Sequence, residues 1–218
     1  MKNIFTFFAL TLTLFMNAQD FANYKKYEAT NAQLKSSKTQ VKTILFGDSI
    51  TEFWKSNNPA FFDQYQIINR GISGQTTSQM LLRFRQDVLN LNPKQVVILA
   101  GINDIAENTG PISLEHVADN IFSMVELAKF HKIKVVMSSV LPAYSFSWKA
   151  GIEPANKVLE LNKMLKAYAV KNKIQFIEYH AAMKDSRNGL PAKFSGDEVH
   201  PNKEGYDVME KILLPFLK

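Results

Sequence analysis

The chain has 218 residues, 46% hydrophobic and 21% charged, a composition that fits one globular domain with a sizeable core. Its net charge of +6 comes from scattered lysines with no run of five or more like charges. This predicts a solvated basic exterior rather than a nucleic-acid surface. Cysteine is absent, which excludes disulfides, thiol nucleophiles and thiolate metal ligands and leaves core packing to hold the fold.

The first eighteen residues differ from the rest. Lys2 gives a positive start, Ile4 to Met16 is an apolar run rich in Phe and Leu, and Asn17-Ala18-Gln19 offers a small residue for cleavage. The run is short of the ~20 residues that a membrane-spanning helix needs. Residues 1–18 are therefore expected to be an export signal. Export would deliver residues 19–218 to the periplasm or the medium as one domain, without stable membrane insertion.

Beyond that leader, short apolar β-branched runs alternate with helical patterns. Thr43 to Phe46, Gln66 to Asn69, Gln95 to Ala100, Lys134 to Val140 and Ile174 to Ile177 read as strands. Three are nearly continuously apolar, as parallel strands covered on both faces are. Apolar stripes at helical spacing separate them: Met80, Phe84, Val88 and Leu91; Val117, Ile121, Met124 and Ala128; Val158, Leu161, Leu165 and Tyr168. Val208, Ile212 and Leu213 form a last stripe. Pro111 and Ser113 mark the start of the second helix, and Asn202 is a candidate cap for the last. Such alternation predicts βαβ units and a parallel sheet with helices on both faces.

In sheets of this kind ligands bind beyond the carboxyl ends of the strands. The residues there are Gly47-Asp48-Ser49-Ile50-Thr51, then Asn69 to Thr77 with Gly71, Ser73 and Gly74, then Gly101-Ile102-Asn103-Asp104, and downstream Asp197-Glu198-Val199-His200-Pro201. Each alone reads as a turn or a helix cap. Together on one sheet edge they hold the parts for acyl transfer. A serine hydroxyl is a poor nucleophile until a base takes its proton, and histidine suits that task near neutral pH. Asp197, three residues before His200, can orient the imidazole. Backbone N–H groups of Ser49 and Gly74, with the Asn103 side-chain amide, can surround a developing oxyanion.

These motifs, in this order, resemble the Ser, Gly, Asn and His blocks of the SGNH hydrolases, the GDSL lipase/acylhydrolase family. The resemblance runs from about Thr43 to Gly205. Gly-Asp-Ser-Ile-Thr, Asn-Arg-Gly-Ile-Ser-Gly-Gln-Thr-Thr and Ser-Val-Leu-Pro-Ala are similar to the branch of platelet-activating-factor acetylhydrolase catalytic subunits and bacterial carbohydrate acetylesterases. It implies a flavodoxin-like three-layer α/β/α sandwich with a central, mostly five-stranded parallel sheet. It also implies a Ser49-His200-Asp197 triad without metal or cofactor, and an oxyanion hole of Ser49, Gly74 and Asn103. Ile50 departs from the leucine of the family's nickname.

Ser73 is the rival nucleophile, but neither Gly-Ile-Ser-Gly nor the Gly47 segment matches the Gly-x-Ser-x-Gly elbow of α/β-hydrolases. His116, His131 and His180 lack metal-ligand spacing. Tyr144, Phe146 and Trp148 read either as a loop packed on the core or as an aromatic wall for substrate, and Trp54 is read in the same way. The expectation is a serine esterase for small acyl esters, acetyl above all, with an acetylated sugar as one candidate substrate. A lysophospholipase or thioesterase, and a carbohydrate-binding protein without catalysis, are the alternatives.

Overall fold

The computed structural model describes residues 20–217, so the expected export signal lies outside the described residues. Each apolar run forms a strand: β1 (Thr43–Gly47), β2 (Ile67–Gly71), β3 (Gln95–Leu99), β4 (Lys134–Ser138) and β5 (Gln175–Ile177). All pair in parallel, in the order β2-β1-β3-β4-β5. Every residue of β1 and β3 is buried, which is why these runs are continuously apolar rather than alternating. The strand order reverses beside β1, and this opens the switch point at the carboxyl ends of β1 and β3.

The helices are α1 (Lys25–Ser36), α2 (Ser49–Asn57), α3 (Pro59–Tyr65), α4 (Thr77–Asp87), α5 (Ile102–Ile105), α6 (Leu114–Phe130), α7 (Pro154–Lys171), α8 (Tyr179–Met183) and α9 (Lys203–Leu213). α2, α3, α8 and α9 pack with one another in one layer, while α1, α4, α6 and α7 form the other. This is the three-layer α/β/α arrangement that the resemblance implies. No helix among the described residues is long and apolar enough to cross a membrane.

The predicted stripes of α4, α6 and α7 face the sheet, with Phe84, Val117 and Val158 fully buried. Phe84 meets Phe46 edge to face at 5.2 Å, and truncating it to alanine would cost roughly 3–5 kcal/mol. Ser113 and Asn202 cap α6 and α9 as their sequence positions predict, accepting from the N–H groups of His116 and Gly205. In α9 the buried face is instead Tyr206, Met209 and Leu213, while Val208 and Ile212 are half-buried.

Two local devices set the site. Asp48 caps α2 by accepting the Ile50 N–H at 3.0 Å, so Ser49 opens the helix directly after β1. At Gly71 a Cβ would lie 2.2 Å from the Glu52 nitrogen and 2.6 Å from the Asp48 carbonyl. Its absence lets the first turn of α2 rest on the end of β2.

Candidate active site

Ser49, His200 and Asp197 form a continuous hydrogen-bonded chain across two segments of the sheet edge, the start of α2 and the loop before α9. Ser49 Oγ lies 2.9 Å from His200 Nε2, and His200 Nδ1 lies 2.6 Å from Asp197 Oδ2. The second carboxylate oxygen of Asp197 accepts the N–H groups of Val199 and His200 and the Ser195 hydroxyl, at 3.0, 2.7 and 3.0 Å. Burial raises the Asp197 carboxyl, but the His200 ring and these N–H donors outweigh burial and hold it down at about 2. An anion is therefore present beside the imidazole at any ordinary pH, and it fixes a proton on Nδ1. Nε2 is left to accept from the serine.

The Ser73 hydroxyl has a different partner. Its Oγ and backbone N–H both point at Glu52 Oε2, each at 2.7 Å, and Glu52 also pairs with Lys26. A hydroxyl bound to a carboxylate in this way has no imidazole to take its proton.

Gly74 sits at φ +76°, a backbone conformation that favours glycine. A Cβ there would have only Asn108 Nδ2 within reach, at 4.0 Å. The left-handed turn thus gives glycine a conformational reason at this position. Among the described residues neither the Gly74 nor the Ser49 N–H has a hydrogen-bond partner. Asn103, in α5, donates one Nδ2 hydrogen to the Gln75 carbonyl at 3.1 Å and accepts from Asn108 at 2.9 Å. Its second amide hydrogen remains for a ligand. Asn108 also donates to the Gly74 carbonyl at 3.2 Å, tying the two loops together. Sequence reading missed Asn108, since an asparagine five residues past a motif carries no signal until the loops meet.

Two carboxyls behind the site are buried. Asp48 has one oxygen on Ile50 and the other without a partner among the described residues. Burial pushes its carboxyl up to about 7, with the Ile50 N–H and His200 opposing the rise. Asp104 is pushed up to about 6 by burial, against the N–H and hydroxyl that Thr77 donates to it. That pair links α5, which carries Asn103, to the start of α4.

The expected aromatic residues divide. Trp148 is 46% exposed, and its ring centre lies 6.1 Å from that of His200. Phe146 is buried beneath it, with ring centres 5.1 Å apart. Tyr144 lies under the Arg187 guanidinium at 4.6 Å, and Arg187 in turn pairs with Asp185 and Glu198. Trp54 is corrected by the structure. It is 2% exposed, packs on Phe61 and Tyr206, and donates its indole N–H to Glu210 at 3.0 Å, so substrate has no access to it. Its neighbour Phe53, one helical step round α2, is exposed and stands 5.5 Å from the His200 ring. Nothing in the spacing of these adjacent aromatics indicates which one turns outward.

Residues 45–208 match the model of the GDSL-like Lipase/Acylhydrolase family. The chain belongs to this family. Among solved structures it is similar to a GDSL-like lipase of Bacteroides thetaiotaomicron, at 45% identity and a TM-score of 0.86, covering 91% of this chain and 98% of that one. Among curated proteins it is 24% identical to an acetylxylan esterase of Geobacillus stearothermophilus over 68% of this chain and 70% of that protein. It also shares 37% identity with an uncharacterized lipoprotein of Bacillus subtilis, over 35% of this chain but only 32% of that protein. The family and its esterase relatives make the protein a carboxylic ester hydrolase of the GDSL type.

Proposed function

We propose that the protein is an exported serine esterase that removes short acyl groups, acetyl above all, from carbohydrate esters. The observation that carries this reading is the Ser49–His200–Asp197 chain, with contacts of 2.9 and 2.6 Å. In the proposed reaction His200 Nε2 takes the hydroxyl proton as Ser49 Oγ attacks the ester carbonyl carbon. The carbonyl oxygen becomes an oxyanion that accepts from the Ser49 and Gly74 N–H groups and the free Asn103 amide hydrogen. The tetrahedral species collapses as the carbon–oxygen bond to the alcohol breaks and His200 returns the proton to the departing oxygen. Water then repeats the sequence on the acyl-serine: His200 accepts its proton, hydroxide adds, and carboxylic acid leaves as Ser49 regains its hydrogen.

The alcohol takes its proton from His200, so it lies on the His200 side, beside Phe53 and Trp148. Two exposed aromatic faces suit the apolar faces of a pyranose ring, and the similarity to an acetylxylan esterase supports the same class. Short acyl groups are favoured because the neighbouring loops are polar, with Lys149 paired to Glu107 and Arg187 to Asp185 and Glu198. A long chain would need an apolar groove there to recover ~0.8 kcal/mol per CH₂. Export is supported by the apolar leader at Ile4 to Met16. The test is a p-nitrophenyl ester series from acetyl to dodecanoyl. We expect kcat/KM to peak at acetyl or propionyl, and an optimum at octanoyl or longer would replace this reading with a lysophospholipase or thioesterase.

A further inference from the structure

Arg83, in α4, is fully buried and holds the underside of the site together. Its Nη2 donates to the Gly47 carbonyl at 2.9 Å, the last backbone acceptor of β1 before Asp48 and Ser49. Its Nε donates to Gln75 Oε1, and the backbone carbonyl of that same Gln75 receives the Asn103 amide at 3.1 Å. Its Nη1 reaches the Arg70 carbonyl at 3.1 Å and Asp87 Oδ2 at 2.9 Å. One planar fork thus touches the end of β1, the end of β2, and the loop that carries Gly74.

A buried guanidinium is a costly way to stabilise a core, since removing a charge from water offsets much of what its pairing gains. Phe46, whose ring lies 4.3 Å from the Arg83 carbon, shows that apolar packing is available at this spot. What an apolar side chain lacks is the set of fixed donors that spans separate loops, and lysine lacks it too. Asp87 supplies the countercharge and ties the group to α1 through Asn31, whose amide donates to Asp87 Oδ1 at 2.7 Å. The remaining donors go to the backbone and side chain around the nucleophile and the oxyanion loop.

We propose that Arg83 is a positioning residue: it sets the separation between the Ser49 loop and the Gly74–Gln75 loop, and so the geometry of the oxyanion donors. The inference rests on the proposed roles of Ser49, Gly74 and Asn103. Donors that a transition state must meet at hydrogen-bonding distance lose effect when displaced by a fraction of an ångström, while ground-state binding changes little.

The test is a kinetic double-mutant cycle on p-nitrophenyl acetate with Arg83→Lys, Asn103→Ala and the pair, each checked for folding by circular dichroism and thermal melting. Arg83→Lys should lower kcat about tenfold or more with KM within about threefold, and Asn103→Ala should lower it ~10²–10³-fold. Because both act on the same oxyanion, the double variant should be at least about fivefold faster than the product of the single losses implies. A residue that only supports the core would move stability and give losses that multiply. Multiplied losses, or a folded Arg83→Lys enzyme with kcat within about threefold of wild type, would overturn the proposal. Should Arg83→Lys not fold, Gln75→Met carries the same cycle, since it cuts the link to the oxyanion loop and leaves the Arg83–Asp87 pair. Turnover that survives in Ser49→Ala would overturn the nucleophile assignment and this proposal with it. A dead Ser49→Ala beside an unimpaired Arg83→Lys overturns the positioning role alone.

Discussion

His200 and Asp197 meet through their side chains at 2.6 Å although only two residues separate them, and Glu198 between them adopts a left-handed φ of +64°. That turn also brings the Val199 and His200 N–H groups onto Asp197 Oδ1. Asp197 and His200 are thereby placed by one short loop rather than by distant elements.

Replacing Asp197 with asparagine tests the loop's chemistry. Asn Oδ1 keeps the backbone acceptor role, but its Nδ2 donates toward His200 Nδ1 and forces the proton onto Nε2. That tautomer cannot accept from Ser49, so kcat should fall by roughly 10³–10⁴, the scale seen when a triad loses its orienting carboxylate. Thermal stability should fall modestly, since the half-buried carboxylate loses the charge that its N–H and imidazole partners stabilise. Near-normal rates would make Ser49 and His200 a working pair and remove Asp197 from the mechanism.

Asp48 gives a pH signature in stability. Its carboxyl titrates near the ordinary 3.8 in the unfolded chain and is pushed up to about 7 when folded, because burial disfavours the anion. Between those values the folded state holds a proton that the unfolded state has lost, so this group's contribution falls as pH rises from about 4 to about 7 and is constant above. Asp48→Asn keeps the cap acceptor and removes the titration. Relative to wild type, the variant should gain stability between pH 4 and pH 8 by as much as roughly 4 kcal/mol, measured by urea unfolding. A difference that does not change with pH would mean that Asp48 is ionised in the folded protein.

The proposed placement of the alcohol beside Trp148 is open to a direct test. If the alcohol rests on its exposed face, Trp148→Ala should lower kcat/KM about tenfold on an acetylated xylopyranoside, the order of one lost aromatic contact of ~1.5 kcal/mol. Methyl acetate, with no ring to stack, should be hydrolysed within about twofold of the wild-type rate. Equal losses on both substrates would assign Trp148 to holding His200 instead.

The parts legible in the sequence are those whose physics is local. Strands buried on both faces must be continuously apolar, so β1 and β3 announce themselves and locate Ser49 and Asn103 at their ends. α1 was not legible, because it buries Asn31 on Arg70 and Asp87 rather than an apolar stripe. The stripe of α9 was misjudged because Glu210 lies on the buried face, where it accepts from Trp54 and Asn58. Phe53 turns outward and Trp54 inward although they are adjacent, which only the docking of α2 on the sheet decides. Arg83 carries no signal of burial in the sequence. Its proposed positioning role depends on Gly47, Arg70 and Gln75 converging from three segments, and no spacing rule contains that.

Covalent labelling tests whether Ser49 is the nucleophile. Wild-type protein and the Ser73→Ala variant should each take up one fluorophosphonate per chain, with the adduct mapped to the peptide containing Ser49. Ser49→Ala should take up none and lose ester turnover while its circular dichroism spectrum and melting temperature stay close to wild type. Stoichiometric labelling of a folded Ser49→Ala protein would contradict the account.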